Sequence, residues 1–259
     1  MYRVLIYKDS GNLGDAIQTL ALCRLLAKKC CGVYRDLPVP DKCQEAPLIA
    51  NGYLGSSAFP TLPRNAVLTG IHIAGREREL SSWIRSSGDA VGARDPYTQH
   101  LLKSLRVESE MIGCATLTFE RYRGVRSRRY SIDISPRPNT ITLTNRIGRM
   151  PWKEQWELAE TRLQQLRTAE IVYTNRLHVI LPCLAFGTPV EFPLDALSGL
   201  FEKARISLLN AIDFPYDTPV ELDVSGFSER YCSFLERRLN RCLHPTQAPE
   251  CPLPIGEAL

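Results

Sequence analysis

The chain has 259 residues, 44% hydrophobic and 23% charged, a composition of ordinary globular proteins that excludes collagen-like, coiled-coil and disordered classes. Its length exceeds the roughly 150 residues of one domain, so two are expected. Its 32 basic residues against 28 acidic ones, a formal charge of +4, are too even for a general nucleic-acid binder and suit a small anionic ligand better.

The amino terminus, Met1 to Asp9, carries charge every few residues and lacks the apolar stretch and small-residue cleavage site of a signal peptide. It opens with Val4-Leu5-Ile6-Tyr7, a β-rich run. A glycine-containing loop follows, then a predicted helix from Ala16 to Ala27 with Ile17, Leu20, Ala21 and Leu25 at helical spacing. The alternation continues with strands at 47–50 and 66–73, a helix after Arg78, a strand at 90–92, a helix at 96–105 and a strand at 110–113. Strands alternating with helices predict a mostly parallel sheet covered on both faces.

The segment Arg121 to Arg129 holds five arginines and no apolar periodicity. It reads as a solvated linker between domains, with docking of an anionic acceptor or peripheral membrane contact as the other readings. The pattern restarts with a strand at 140–143, a helix at 152–166, a strand at 171–173, a helical segment to Phe186 and a strand start at 189–190. The longest strongly apolar run, Val179 to Phe186, falls far short of the roughly 20 residues of a membrane span, so a soluble, cytoplasmic chain is expected. Ser228 to Leu243 places Tyr231, Phe234, Leu235, Leu239 and Leu243 on one face and is expected to close the fold. The predicted division is 1–120, 121–243 with the closing helix, and a flexible tail at 244–259. Nine cysteines without a C-x-x-C pair show neither zinc-site spacing nor a disulfide framework, so reduced thiols and no structural metal are expected.

Two doubly wound halves place a ligand crevice between them, outside the carboxyl ends of the strands, and three segments fall at such edges. Thr174-Asn175-Arg176-Leu177-His178 leaves a strand and opens a helix. A helix amino terminus and an arginine fork suit phosphate or carboxylate, and His178 can exchange a proton near neutral pH. Arg176 and His178 can share a ligand only if Arg176 still lies in the turn, and Pro182 predicts a late start or a bend, because it offers no amide hydrogen to the His178 carbonyl. Gly92-Ala93-Arg94-Asp95-Pro96 is a second strand-to-helix junction, where Asp95 reads as a cap and Arg94 is left without an evident partner. Gly11-Asn12-Leu13-Gly14-Asp15 is neither a dinucleotide fingerprint nor a P-loop. Its Asn12 and Asp15 suit sugar hydroxyls or merely a turn and cap. His72, His100 and His244 are not expected to be catalytic.

Taken in order, Gly11-Asn12-Leu13-Gly14-Asp15-Ala16-Ile17-Gln18, Asn51-Gly52-Tyr53 with Gly70-Ile71-His72-Ile73, Gly92-Ala93-Arg94-Asp95 with Thr98, Gly113 to Thr118, and Arg176-Leu177-His178 through Pro189-Val190 resemble the polysaccharide pyruvyl transferase family. The resemblance implies two Rossmann-like domains arranged as in GT-B glycosyltransferases. It also implies transfer of pyruvate from phosphoenolpyruvate to sugar hydroxyls as a ketal, with no cofactor and no metal. It assigns His178 as general acid and Arg94 and Arg176 as donor-binding cations, and beside it Asn12, Gly14 and Asp15, in the segment suited to sugar hydroxyls, are expected on the acceptor side. Relatives often carry a lysine or arginine soon after the Gly-Thr-Pro-Val block, whereas the first cation here is Lys203, read either as its donor-side replacement or as a solvated helix residue. The partners implied are phosphoenolpyruvate and a sugar or polysaccharide precursor, with no nucleic acid. A nucleotide-sugar glycosyltransferase and a noncatalytic sugar-binding relative are the alternatives.

Overall fold

The computed structural model describes residues 1–8, 10–27, 30–35, 46–54, 63, 66–73, 82, 84, 90–194, 202–243, 245 and 249–254, apart from the side chains of 202–205. Two parallel sheets define an α/β fold. The first contains β1 (Tyr2–Ile6), β2 (Cys30–Tyr34), β3 (Leu48–Leu54), β4 (Val67–Ile73), β5 (Val91–Ala93) and β6 (Ser109–Met111), in the order β2-β1-β3-β4-β5-β6. The second contains β7 (Arg129–Ile132), β8 (Ile141–Leu143), β9 (Ile171–Thr174) and β10 (Val190–Glu191), in the order β10-β9-β7-β8. Every residue of β1 and β4 is buried, as strands covered on both faces require.

The helices are α1 (Leu13–Leu26), α2 (Pro96–Ser104), α3 (Trp152–Arg167), α4 (Leu177–Phe186), α5 (Glu202–Ala211) and α6 (Ser225–Leu239). The helix expected after Arg78 lies outside the described residues. All of α1 except Asp15 is buried, because it packs on β1 and β3 and also on α3 and α4. A helix covered on all sides has no polar face to show. One apolar cluster accordingly runs from Val4 and Ile17 through Trp156 to Ile132 and Val172, joining both sheets. A second cluster, with Leu48, Ile71 and Leu102, fills the other face of the first sheet.

The carboxyl-terminal segments return to the first sheet. Helix α6, expected to close the second half, sets the Tyr231 ring 2.9 Å from where a Cβ on Gly70 would sit and Phe234 3.0 Å from that of Gly92. Part of the expected flexible tail is seated too. The Leu253 carbonyl accepts from the Gly32 amide at 2.8 Å, and Trp152 Nε1 donates to the Pro252 carbonyl at 3.0 Å. Among the described residues, eight cysteines are free thiols, and no helix is long and apolar enough to cross a membrane.

Candidate active site

The loop after β1 is built by its own side chains. Asn12 is extended (φ −137°, ψ 110°) and caps α1, its Oδ1 accepting from the Gly14 amide at 3.1 Å. Ser10 Oγ donates to Asp15 Oδ2 at 2.7 Å and accepts from the Asn12 amide at 3.2 Å. Asn12 and Asp15 thus fill the turn-and-cap role that was one of their two readings.

The loop after β9 meets it from the second sheet. Thr174 Oγ1 donates to the Ile132 carbonyl and accepts from the Arg176 amide, both at 3.0 Å. Arg176 is extended (φ −94°, ψ 117°), and His178 (φ −81°, ψ 18°) departs from helical geometry before α4 settles into register. Pro182, lacking an amide hydrogen for the His178 carbonyl, removes the bond that would hold His178 in the helix. Arg176 therefore lies in the turn, the condition for sharing a ligand with His178. Its Nε donates to Asp133 Oδ2 at 2.8 Å. Asp133 also accepts from the Asn145 amide at 3.0 Å and from the Thr144 hydroxyl.

The loop after β1 is stitched to the loop after β8. The Leu13 amide donates to the Asn145 carbonyl at 2.9 Å, the Ile147 amide donates to the Gly11 carbonyl at 3.1 Å, and Asn12 faces Arg146 in an antiparallel bridge. His178 lies directly on Gly14, with Nδ1 and Cβ 2.8 and 2.9 Å from where a Cβ on Gly14 would sit. Gly14 is required by this close approach rather than by backbone angle.

Arg94 forms a second cluster, and here the expectation that it lacks a partner is corrected. Asp95 Oδ1 caps α2 by accepting from the Thr98 amide at 2.8 Å, while Oδ2 takes Arg94 Nε at 3.2 Å. A carboxylate has two oxygens, so capping spends only half of it. His72 Nδ1 lies 3.3 Å from the same Oδ2 and 3.0 Å from Thr98 Oγ1. Burial holds the His72 pKa below its ordinary value despite the bond to Asp95. Burial alone would raise the Asp95 carboxyl, but His72, Arg94 and the Thr98 amide together bring it below the usual range. His72 reached this cluster through strand register: Ile71 pairs with Ala93, which sets the next residues, His72 and Arg94, side by side at one sheet edge.

Lys203 lies on α5, and its side chain is outside the described residues. The basic segment is not uniformly solvated. Arg126 donates to the Phe186 and Arg167 carbonyls, each at 2.8 Å, and to Thr188 Oγ1 at 2.5 Å, tying off the ends of α3 and α4. Guanidinium donors suit carbonyls orphaned at helix carboxyl ends. Sequence reasoning also missed Asp133, which lies 43 residues before Arg176.

Fold and site together define an α/β protein with an arginine- and histidine-bearing turn at the edges of two parallel sheets. The sequence profile described as Polysaccharide pyruvyl transferase matches residues 12–190. The chain belongs to that family. No curated protein matches it. A solved structure of a functionally uncharacterized protein from Klebsiella pneumoniae subsp. pneumoniae NTUH-K2044 is similar in fold, with a TM-score of 0.55 and 16% identity over 86% of this chain and 93% of that one.

Proposed function

We propose that this protein moves a pyruvyl group from phosphoenolpyruvate to hydroxyls of a sugar in a polysaccharide or its precursor, forming a ketal. The observation that carries the reading is the junction itself: His178 rests on Gly14, and Arg176 stands in the turn two residues before it. The donor would occupy a GT-B-like cleft between the two sheet edges. Arg176 and Arg94 bind its phosphate and carboxylate, with Lys203 as a further donor-side cation. His178 protonates the methylene carbon, so positive charge develops at the neighbouring carbon. One sugar hydroxyl adds there and loses its proton. A second then displaces phosphate by breaking the carbon–oxygen bond, which leaves a methyl ketal and inorganic phosphate. Asn12, Gly14 and Asp15 line the acceptor side.

Calorimetric titration with phosphoenolpyruvate tests the donor, using wild type, Arg176→Ala and a uridine diphosphate control. Saturable binding that weakens in the variant, without a response to the nucleotide, is the expected result. Nucleotide binding without phosphoenolpyruvate binding would overturn the donor assignment in favour of a glycosyltransferase.

A further inference from the structure

Both arginines assigned to the donor are already matched by carboxylates of this chain. Arg176 is held by Asp133 at 2.8 Å and Arg94 by Asp95 at 3.2 Å, so each pair contributes orientation but no net charge. Phosphoenolpyruvate brings a carboxylate and a phosphate of about −1.5 to −2. A low-dielectric cleft holding that much negative charge needs a cation not already neutralised, in addition to Lys203 on α5.

We infer that Arg146 supplies this charge, as a donor-binding residue presented by the loop after β8. The resemblance assigns nothing to that loop. The inference rests on the pyruvyl-transfer reading and deepens it. Its geometry comes from the bridge between Asn12 and Arg146. Residues directly opposite in an antiparallel pair project to one face, with Cβ atoms about 5 Å apart and within reach of long side chains. Asn12 marks where that face leads: its Oδ1 and His178 Nδ1 lie 3.2 and 2.8 Å from the same point, the Cβ position on Gly14. The amide of Arg146 is fixed by Thr144 Oγ1 at 3.0 Å, and Thr144 is fixed by Asp133, the carboxylate that holds Arg176. One hydrogen-bonded knot therefore sets the relative positions of Arg176 and Arg146. Arg146 is exposed, and among the described residues its guanidinium has no partner. An arginine at this position leaves its full charge for a ligand.

The test is phosphoenolpyruvate titration of wild type, Arg146→Ala, Arg146→Lys and Lys103→Ala, with melting curves for each. Lys103 is exposed on α2, and its loss changes net charge as much as loss of Arg146 does. Expected are binding weakened about ten- to hundredfold in Arg146→Ala, partial recovery in Arg146→Lys, no change in Lys103→Ala, and unchanged melting. Wild-type binding left intact by Arg146→Ala would overturn this inference alone. Absence of wild-type binding would overturn the donor reading and the inference with it. Equal weakening in Lys103→Ala would overturn the local role in favour of the general field of the protein.

Discussion

Replacing Gly14 by alanine sets two calculable effects against each other. The site is helical, so alanine by itself should stabilise α1 by about 0.5–1 kcal/mol. The new Cβ, however, would lie 2.8 Å from His178 Nδ1 and 2.9 Å from His178 Cβ, closer than carbon atoms pack. Forcing an extra methyl into such a place costs about 1–3 kcal/mol. At the midpoints of these ranges the clash wins, leaving a net loss of about 1 kcal/mol and a fall in Tm of about 2–4 °C for a chain of this size. The assay is a double-mutant cycle with His178→Gly, which removes both clashing atoms, and its coupling energy should reach about 1–3 kcal/mol. Phosphoenolpyruvate titration of Gly14→Ala alongside should show weaker binding, because His178 is pushed from its place. If Gly14→Ala raised Tm by the same amount in both backgrounds, the close contact between the two loops would be refuted.

Arg126→Ala should lower stability by about 1–3 kcal/mol, since it strands the Arg167 carbonyl at the end of α3 and removes one of two donors to the Phe186 carbonyl, which keeps the Tyr122 amide, whereas Arg123→Ala, exposed on the same segment, should be neutral within about 0.5 kcal/mol. Chemical denaturation separates the two, and equal effects would return the whole segment to a solvated linker. The pH dependence of Tm should report His72. Its pKa is depressed in the folded state, so the unfolded chain binds more protons as pH falls through its unfolded pKa near 6.5, and stability declines from there downward. His72→Gln should flatten that stretch of the profile. At lower pH the depressed Asp95 carboxyl adds a loss that begins near its unfolded pKa of about 3.9 and continues through its folded value, and Asp95→Asn should remove it.

Elements with long periodic patterns were legible from residues alone: α3 and α4 each begin or end close to where spacing placed them. The start of α1 was set three residues late because its apolar spacing was counted without crediting the cap at Asn12. Strand β2, Cys30-Cys31-Gly32-Val33-Tyr34, was missed as a short edge strand interrupted by glycine. Strand β7 was missed because Tyr130 and Ile132 follow directly on the arginine run. In the candidate site, local backbone geometry read well, since the turn position of Arg176 and the displaced His178 both follow from Pro182 and the strand end. The partnerships did not read, because Asp133 with Arg176, His72 with Arg94 and Asn12 with Arg146 each depend on strand register or loop docking between distant stretches of chain. A one-dimensional pattern carries no information on such pairing.

The burial of α1 on all sides limits how the molecule can move. Its sides are claimed by β1 and β3 and by α3 and α4, so it acts as an axle shared by two wheels. Turning one sheet against the other would pull that axle out of one bearing and open dry apolar surface to water. The spacing between Gly14 and His178 is therefore set by packing within the fold itself.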